Sequence, residues 1–544
     1  MPIAVPPTTR TSLRGWQERA LVAMRAWRRG PFLVSAAPGS GKTRPALVFA
    51  RELLRAGVVK RVVVVCPTTP LTDQWAAAAG RLGVHLVPDA AELRPPRDFD
   101  GVAVTYARVA TVAERWARQC GAATLVIADE AHHLGEDLTW GQGFHVAFRD
   151  AARWLLLSGT PFRSDQSPIP GVRYDDGVAV PDVSYTYADA VRDAICRPVT
   201  FVPYDGVLQW REGDDEVVEA SFRDALAGRE AGRRYRTAIS VELQDGLPRI
   251  LAAAHARLED VRAGGHRDAG GLVVAADGEH ARAIAQILRE VCGQAPTVVL
   301  HTEARAAEKL RRFTASRERW IVAVNMVSEG VDIPRLRVGV YATAAKTPLI
   351  FRQIVGRFVR TIPGRPLDMS WLYLPADPVL RRHAADVETE LRHVLRPPSD
   401  DPGAAGLDER PERRETERTG AEAFVPVAAD VAPQLALFGP PGGAPAVTPV
   451  LAAGAAPAAE PAPDEAAEPE MPAFERRALL RDKRHRLVAD LRRRDGRSHA
   501  EINNWLNRAS GIRRVNEATI EQLERSIELL LVELSRRAPR RRTA

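Results

Sequence analysis

Short β-branched runs that alternate with helical stretches place the strongest constraint on how this 544-residue chain folds. Near-continuous apolar strands separated by helices are typical of a parallel sheet that is covered on both faces. The first set of runs is PFLVSA (31–36), RVVVVCP (61–67), GVAVTY (101–106), TLVIADE (124–130) and RWLLLSG (153–159). The second set is GLVVAAD (271–277), TVVL (297–300), WIVAVN (320–325) and RVGVYA (337–342). The pattern predicts two α/β domains in tandem.

Length and composition divide the chain further, since 544 residues are too many for one hydrophobic core. The stretch 398–470 is rich in Ala, Pro and acidic residues and has little to bury, so we expect it to be disordered. The predicted segments are an α/β domain over 1–205, a connector over 206–250, an α/β domain over 251–397, a linker over 398–470 and a basic helical domain over 471–544.

Helical periodicity returns in the last predicted segment. Ser498 with Glu501, and Thr519 with Gln522, have the spacing of capping boxes. Gly511 can end the shorter helix. The longer helix carries an apolar stripe of Ile520, Leu523, Ile527, Leu530, Leu531 and Leu534. We predict a small all-α domain of about three helices.

The charge of +7 is unevenly distributed along the chain. Residues 471–544 carry 19 basic and 10 acidic side chains, whereas residues 398–470 carry 4 and 14. A basic body and a basic tail favour a polyanionic partner such as nucleic acid. The N-terminal residues lack a signal-peptide core and no run approaches a membrane span, so we expect a cytoplasmic protein that does not bind membranes. The four cysteines form no CxxC pair, which argues against a zinc ribbon, an iron–sulfur cluster and a disulfide framework.

The segment AAPGSGKT (36–43) follows the first strand and opens a helix. Its glycines allow the backbone N–H groups to face a phosphate chain at a helix N-terminus. Lys42 is then expected to contact the β- and γ-phosphates, and Thr43 to ligate Mg²⁺. The chain has five lysines against 71 arginines, so a lysine here is notable. The alternative is a chance Gly-rich turn. The phosphate-binding residues so predicted are Pro38, Gly39, Ser40, Gly41, Lys42 and Thr43.

A second polar cluster, Asp129-Glu130-Ala131-His132-His133, ends the strand that begins at Leu125. A polar loop and a metal site are the alternatives to a nucleotide role, although no second Cys/His cluster supports a metal site. Beside a P-loop, Asp129 can hold Mg²⁺ while Glu130 orients the attacking water. We expect the acid-bearing strand to lie directly beside the P-loop strand.

Further motifs follow in a fixed order through residues 13–360, namely LRGWQERAL (13–21), VVVVCPTTPLTDQW (62–75), VTYARVA (104–110), LSGTP (157–161), MVSEGVDIP (326–334) and QIVGRFVR (353–360). With the P-loop and the acidic cluster, they resemble a superfamily 2 DNA helicase or translocase with a DEAH motif II. The resemblance is strongest to the Res-subunit branch of type III restriction enzymes. It implies two tandem RecA-like P-loop domains that use ATP and Mg²⁺.

The resemblance also assigns roles to residues. It implies that Gln17 contacts adenine, that Gly330 and Asp332 face the nucleotide, and that Thr68 and Thr105 hold the nucleic-acid backbone. It implies that His132, Ser158 and Thr160 couple hydrolysis to movement. The catalytic set that it implies is Lys42, Asp129, Glu130, Gln353, Arg357 and Arg360. The 3-residue spacing of Arg357 and Arg360 predicts that one helix face presents both guanidinium groups to the γ-phosphate.

The expected function is therefore an ATP-dependent DNA helicase or translocase that acts on single- or double-stranded DNA. The SGTP and QxxGRxxR motifs resemble DNA-acting translocases. Two alternatives stay open, namely a motor subunit of a restriction or phage-defence complex and an ATP-gated DNA-binding switch. Residues 471–544 either bind DNA or dock a protein partner.

Overall fold

The chain forms two compact units. The first comprises Met1–Ala36, Gly41–Tyr185 and Pro461–Ala544, and the second comprises Ala37–Ser40 and Thr186–Glu460. The structure is a computed structural model, and it describes residues 13–136, 138–159, 168–175, 178–212, 216–300, 303, 305–324, 333–362, 365, 369–395, 424–434 and 471–536.

The first unit is built on a parallel sheet with helices on it. Its strands are β1 (Gly30–Ala36), β2 (Arg61–Cys66), β3 (Leu86–Val87), β4 (Gly101–Thr105), β5 (Thr124–Asp129), β6 (Arg153–Ser158), β7 (Tyr174–Asp175), β8 (Val178–Ala179) and β9 (Val183–Tyr185). Its helices before residue 150 are α1 (Gly15–Ala26), α2 (Thr43–Arg55), α3 (Thr69–Gly80), α4 (Tyr106–Thr111), α5 (Ala113–Ala117), α6 (His133–Glu136) and α7 (Leu138–Phe148). Among the described residues the sheet order is β3-β4-β2-β5-β6-β1-β9. The predicted α/β fold is confirmed, and each apolar run of the first set forms a strand.

The strand order corrects one expectation. The acid-bearing strand β5 does not lie beside β1, because β6 pairs with both of them and separates them. The register joins Leu157 of β6 to Val34 on one side and to Asp129 on the other. All three strands are parallel, so their carboxyl ends lie at the same edge of the sheet. The loop after β1 and the acids after β5 therefore still emerge at one edge.

The second unit also has a mainly parallel sheet. Its strands are β10 (Val199–Glu212), β11 (Glu216–Ala220), β12 (Gly270–Ala275), β13 (Thr297–Val299), β14 (Trp320–Val324), β15 (Leu336–Ala342), β16 (Ser370–Pro375) and β17 (Phe424–Pro433). Its helices are α8 (Tyr187–Arg192), α9 (Gly228–Ala238), α10 (Leu247–Ala263), α11 (Gly278–Cys292), α12 (Ala306–Ala315), α13 (Pro348–Phe358) and α14 (Pro378–Leu395). In the described part of the unit, the order β11-β10-β16-β15-β12-β14-β13 is parallel from β10 onward, and β17 pairs with β10. This arrangement confirms the second predicted α/β domain.

Two of the predicted segments contain secondary structure that was not expected in them. Residues 206–250 are not a plain connector, because they include half of β10 and all of β11 and α9. The predicted linker 398–470 contains β17, which runs antiparallel to β10. Side chains alternate between the two faces of a strand, and one face of each strand is buried here: Leu208 and Trp210 of β10 are fully buried, and Val431 of β17 is buried as well. The rest of the predicted linker lies outside the described residues.

The C-terminal helices are α15 (Ala473–Asp495), α16 (His499–Ala509) and α17 (Ile520–Arg536). They belong to the first compact unit. Both capping boxes form, since Ser498 and Glu501 bond reciprocally, as do Thr519 and Gln522. Gly511 adopts a left-handed φ of +68° just after α16. The predicted stripe holds except at Leu531, which is 45% exposed.

Two buried arginines also hold these helices together. The Arg484 guanidinium donates to the side-chain oxygens of Asn503 (2.9 Å) and Asn507 (3.0 Å), which joins α15 to α16. Arg477 donates to the carbonyl oxygens of Asn516 and Ala518 at 2.6 and 3.1 Å. Part of the basic charge of the tail is therefore structural. None of the helices described combines the length and the apolar character needed to span a membrane.

Candidate functional site

The loop between β1 and α2 has the backbone shape that a phosphate-binding loop needs. Gly39 and Gly41 adopt left-handed φ angles of +80° and +86°, which side chains rarely tolerate. Ser40 is fully buried, and its N–H donates to the carbonyl of Ala37 at 3.1 Å. Helix α2 starts at Thr43, and Lys42 is its N-cap residue. The partial positive charge of a helix start favours an anion here.

Gln17 on α1 lies directly against this loop. The residue is 3% exposed, and its Nε2 donates to the carbonyl oxygen of Gly41 at 3.1 Å. Its Oε1 accepts from the N–H of Arg14, the N-cap residue of α1, at 3.0 Å. The predicted adenine-side residue is thereby fixed to the glycine loop, and both ends of its amide are engaged.

Asp129 is held in place by hydrogen bonds from several directions. Its Oδ2 accepts from the indole Nε1 of Trp75 at 2.8 Å, and its Oδ1 accepts from the N–H of Glu130 at 3.1 Å. The Tyr106 hydroxyl donates to the Asp129 carbonyl oxygen at 2.7 Å. Burial and the neighbouring Glu130 charge raise the pKa of Asp129 above its ordinary value.

Glu130 lies next to the P-loop lysine. Its Oε1 is 3.4 Å from Nζ of Lys42, whose side chain is 10% exposed. Its Oε2 is 3.5 Å from Nδ1 of His132. Burial disfavours the charged carboxylate, but the charges of Lys42, His132 and His133 outweigh burial and lower the pKa of Glu130. Glu130 also has a left-handed φ of +51°, which is uncommon outside glycine.

The two histidines after Glu130 have different surroundings. The Nδ1 atom of His132 is 3.1 Å from the Ser158 hydroxyl at the end of β6, so the acidic cluster and the SGTP segment are in contact. His133 is buried, and its ring packs 4.4 Å from that of His132 and 6.3 Å from that of Trp140. Thr160, which the resemblance placed with Ser158, lies outside the described residues.

The two threonines predicted to contact nucleic acid start helices. Thr68 is the N-cap residue of α3, and within the described structure its buried Oγ1 has no hydrogen-bond partner. Thr105 is the N-cap residue of α4, where its Oγ1 accepts from the N–H of Arg108 at 3.3 Å. The partial positive charge at a helix start favours contacts with phosphate oxygens.

The second unit carries the QxxGRxxR motif, and here the structure corrects the sequence. Gln353 and Arg357 lie on α13, with Arg357 only 7% exposed, but the helix ends at Phe358. Arg360 instead forms an isolated antiparallel bridge with Cys196, so one helix face does not present both arginines. Arg360 Cγ is 3.2 Å from the position that a Cβ on Gly39 would take, and both residues belong to this unit. Gly330 and Asp332 lie outside the described residues.

Comparison with known proteins identifies the family. Residues 10–163 match the family model described as type III restriction enzyme, res subunit, and residues 266–361 match that of the helicase conserved C-terminal domain. Uncharacterized protein Rv2917 of Mycobacterium tuberculosis is 44% identical over 437 residues, which are 78% of this chain and 72% of that protein. The chain is a superfamily 2 helicase of the Res-like branch.

Other relatives of this helicase have similar coverage. Uncharacterized protein ML1624 of Mycobacterium leprae is 41% identical over 395 residues, 71% of this chain and 65% of that protein. Among solved structures, a fragment of a putative HsdR subunit of a type I restriction enzyme from Vibrio vulnificus YJ016 has 17% identity and a TM-score of 0.47. The match covers 68% of this chain and 65% of that one.

Two residues of this helicase site were missed by sequence reasoning. Trp75 and Tyr106 lie inside two of the sequence motifs, but their residue types alone do not indicate a role in the site, because Trp and Tyr are common core residues. The available signal was that each carries one polar group, which needs a partner when it is buried. The partner, Asp129, is 54 and 23 positions away in sequence.

Proposed function

We propose that this chain is an ATP-dependent DNA helicase or translocase that couples ATP hydrolysis to movement along DNA or to its unwinding. The observation that carries the proposal is the contact between Lys42 of the P-loop and Glu130, with Asp129 held beside it. A phosphate-binding lysine, a buried carboxylate and a second, charged carboxylate are the groups that phosphoryl transfer to water requires.

The loop between β1 and α2, together with Asp129 and Glu130, has residues that fit Mg²⁺ and ATP. The positive φ angles of Gly39 and Gly41 give the loop the curled backbone that a phosphate-binding loop needs. Lys42 and the N–H groups at the start of α2 would hold the phosphates, with Pro38 and Ser40 in the same loop. Thr43 and Asp129 would hold Mg²⁺, which offsets phosphate charge when bound. Glu130, kept charged by Lys42, would orient the attacking water and accept its proton.

The remaining roles stay predictions from the motifs. His132 would pass changes at Glu130 to Ser158, since it contacts both. Gln353, Arg357 and Arg360 would act on the γ-phosphate, because guanidinium groups stabilise developing phosphoryl charge. The other predicted residues are Gln17, Gly330 and Asp332 for the nucleotide, Thr160 for coupling, and Thr68 and Thr105 for the DNA backbone.

DNA is proposed as the substrate because the SGTP and QxxGRxxR motifs resemble those of DNA-acting translocases and because the chain is basic. Contacts with the phosphate backbone carry little sequence preference, so we expect stimulation by DNA of any sequence. The test is ATPase activity with ssDNA, dsDNA, forked DNA and RNA, combined with strand displacement on the fork. We expect DNA to raise the rate more than RNA does. A rate that no nucleic acid changes would refute the proposal.

The catalytic assignments are tested in the same assay. Lys42→Ala and Glu130→Gln should both abolish ATP turnover, and Glu130→Gln should still bind ATP because it keeps the shape of the side chain. Arg25→Ala is a matched control, because the exposed Arg25–Glu52 pair of the same unit lies outside the predicted site. Normal turnover by Lys42→Ala or Glu130→Gln would overturn the site assignment.

A second candidate function follows from the match to the res-subunit model over residues 10–163. In that case the chain would be the motor subunit of a restriction assembly, with a nuclease or methyltransferase on another chain. Affinity purification of the chain from its host, followed by mass spectrometry, tests this function. Recovery of a methyltransferase or nuclease in fixed stoichiometry would favour the restriction motor.

A further inference from the structure

The carboxylate at Asp129 is held by side chains from two helices. Trp75 lies on α3, and its indole Nε1 donates to Asp129 Oδ2 at 2.8 Å. Tyr106 is the first residue of α4, and its hydroxyl donates to the Asp129 carbonyl at 2.7 Å. All three residues are buried, with Trp75 at 2%, Tyr106 at 1% and Asp129 at 8% exposure. The contacts thus lie in a dry environment, where hydrogen bonds to charge are strong.

The indole bond fixes how the carboxylate can be turned. A carboxylate has two oxygens, and rotation about its last bond exchanges them unless one is held. The indole N–H can only donate, so it keeps Oδ2 on the side of Trp75. The Glu130 N–H donates to Oδ1 and so occupies one of the acceptor positions of that oxygen. Each oxygen has further lone pairs, so a metal ligand position stays available on a carboxylate whose rotamer is already set.

We propose that Trp75 is a positioning residue that fixes the rotamer of Asp129 for Mg²⁺ held with a nucleotide, with Tyr106 holding the backbone at the same point. This inference rests on the proposed function. It extends that function to a residue that lies seven positions after Thr68 on the same helix. Tyr106 directly follows Thr105. The two segments proposed to contact DNA are therefore the segments that hold the metal-binding acid.

A purely structural role for Trp75 is the competing explanation, because a buried tryptophan stabilises any core. Trp116 provides the matched control. It is fully buried in the same unit, and its Nε1 has no hydrogen-bond partner among the described residues. Trp75→Phe and Trp116→Phe both remove an indole and keep an aromatic ring. They differ in that only the first variant removes a hydrogen bond to the Asp129 carboxylate.

The experiment measures ADP affinity by isothermal titration calorimetry on the full chain, once with Mg²⁺ and once with EDTA. The quantity compared is the ratio of the two dissociation constants. We expect Trp75→Phe to lower this Mg²⁺ enhancement about tenfold, since hydrogen bonds to charged groups are strong and tenfold corresponds to about 1.4 kcal/mol. Trp116→Phe should keep the wild-type ratio. Tyr106→Phe should lower it less, because it leaves the carboxylate bond in place.

The outcomes separate the inference from the proposed function. A wild-type chain that binds ADP equally with Mg²⁺ and with EDTA would contradict the Mg²⁺ assignment in the proposed function. A wild-type enhancement that Trp75→Phe retains would overturn the positioning role alone. Equal loss of affinity in both conditions would show general damage to the pocket and would also overturn the role. Thermal melting identifies a variant that fails to fold. If Trp75→Phe does, the ratio is measured for Trp75→Leu, which also removes the N–H donor to the Asp129 carboxylate, and a wild-type ratio would overturn the positioning role.

Discussion

Replacement of Gly41 by Ala tests whether the shape of the glycine loop matters for nucleotide binding. Gly41 has a φ of +86°, and left-handed backbone costs an L-residue about 1 kcal/mol or more. An added Cβ would lie 2.9 Å from Nε2 of Gln17. The Gln17 side chain can turn away, but it then gives up its bond to the Gly41 carbonyl, a loss of about 1 kcal/mol.

These two terms give about 2 kcal/mol, which corresponds to roughly a 30-fold weaker affinity for ADP. The free loop of the variant relaxes to avoid this cost, so ADP binding must restore the strained shape. Calorimetric titration with ADP and Mg²⁺ measures the effect. Gly41→Ala should also lower the thermal midpoint only slightly, because the free loop can relax.

The control is Gly57→Ala in the same unit. Gly57 has a φ of +66°, but a Cβ placed there would meet no atom within 4 Å. This variant carries the same kind of backbone cost just after α2, away from the glycine loop, so its ADP affinity should match that of the wild type. If Gly41→Ala binds ADP as tightly as Gly57→Ala does, the shape of the glycine loop does not determine ADP affinity.

Three further predictions concern the second unit and the tail. Arg335→Met should destabilise the second unit by about 3 kcal/mol, because the buried guanidinium donates to three backbone carbonyls that would lose their partner. Hydrogen exchange of β15 measures the change in stability, and a change below about 1 kcal/mol would contradict the prediction. Burial lowers the pKa of His280, whose neutral ring accepts from the Ala276 N–H and contacts the Ile239 carbonyl. The contribution of His280 to stability is therefore present above the unfolded pKa of about 6.5 and is lost as the pH falls toward the folded pKa. Between pH 7.5 and 5.5 the thermal midpoint of His280→Gln should drop less than that of the wild type. An equal drop in the two proteins would contradict this. Removal of residues 471–544, which carry 19 basic and 10 acidic side chains, should weaken DNA affinity measured by fluorescence anisotropy at fixed salt, and unchanged affinity would leave a docking role for this segment.

The strands could be predicted from sequence because buried parallel strands are almost continuously apolar, as β2 and β5 are. Their order could not, because the period of a strand does not tell which strand it pairs with, and β6 lies between β1 and β5. Strand β17 was missed since it contains two prolines and several alanines, and its pairing with β10 comes from distant sequence.

The candidate site was predictable to the extent that its residues lie in short motifs. The Lys42–Glu130 contact joins two such motifs, and both were named from sequence. The end of α13 before Arg360 was not predicted, because spacing alone does not show where a helix ends. The exposure of Leu531 was not predicted either, because its neighbours Leu530 and Leu534 are buried and spacing alone does not show how wide a helix face is covered.

The positive φ of Glu130 has a consequence for what evolution can do at this position. Glycine accepts such a backbone freely, and asparagine accepts it better than glutamate does. A library randomised at residue 130 and selected only for resistance to heat should therefore enrich glycine. The same library selected for growth that needs the enzyme should return glutamate. Enrichment of different residues in the two selections would show that glutamate at this position lowers thermal stability and is kept for activity.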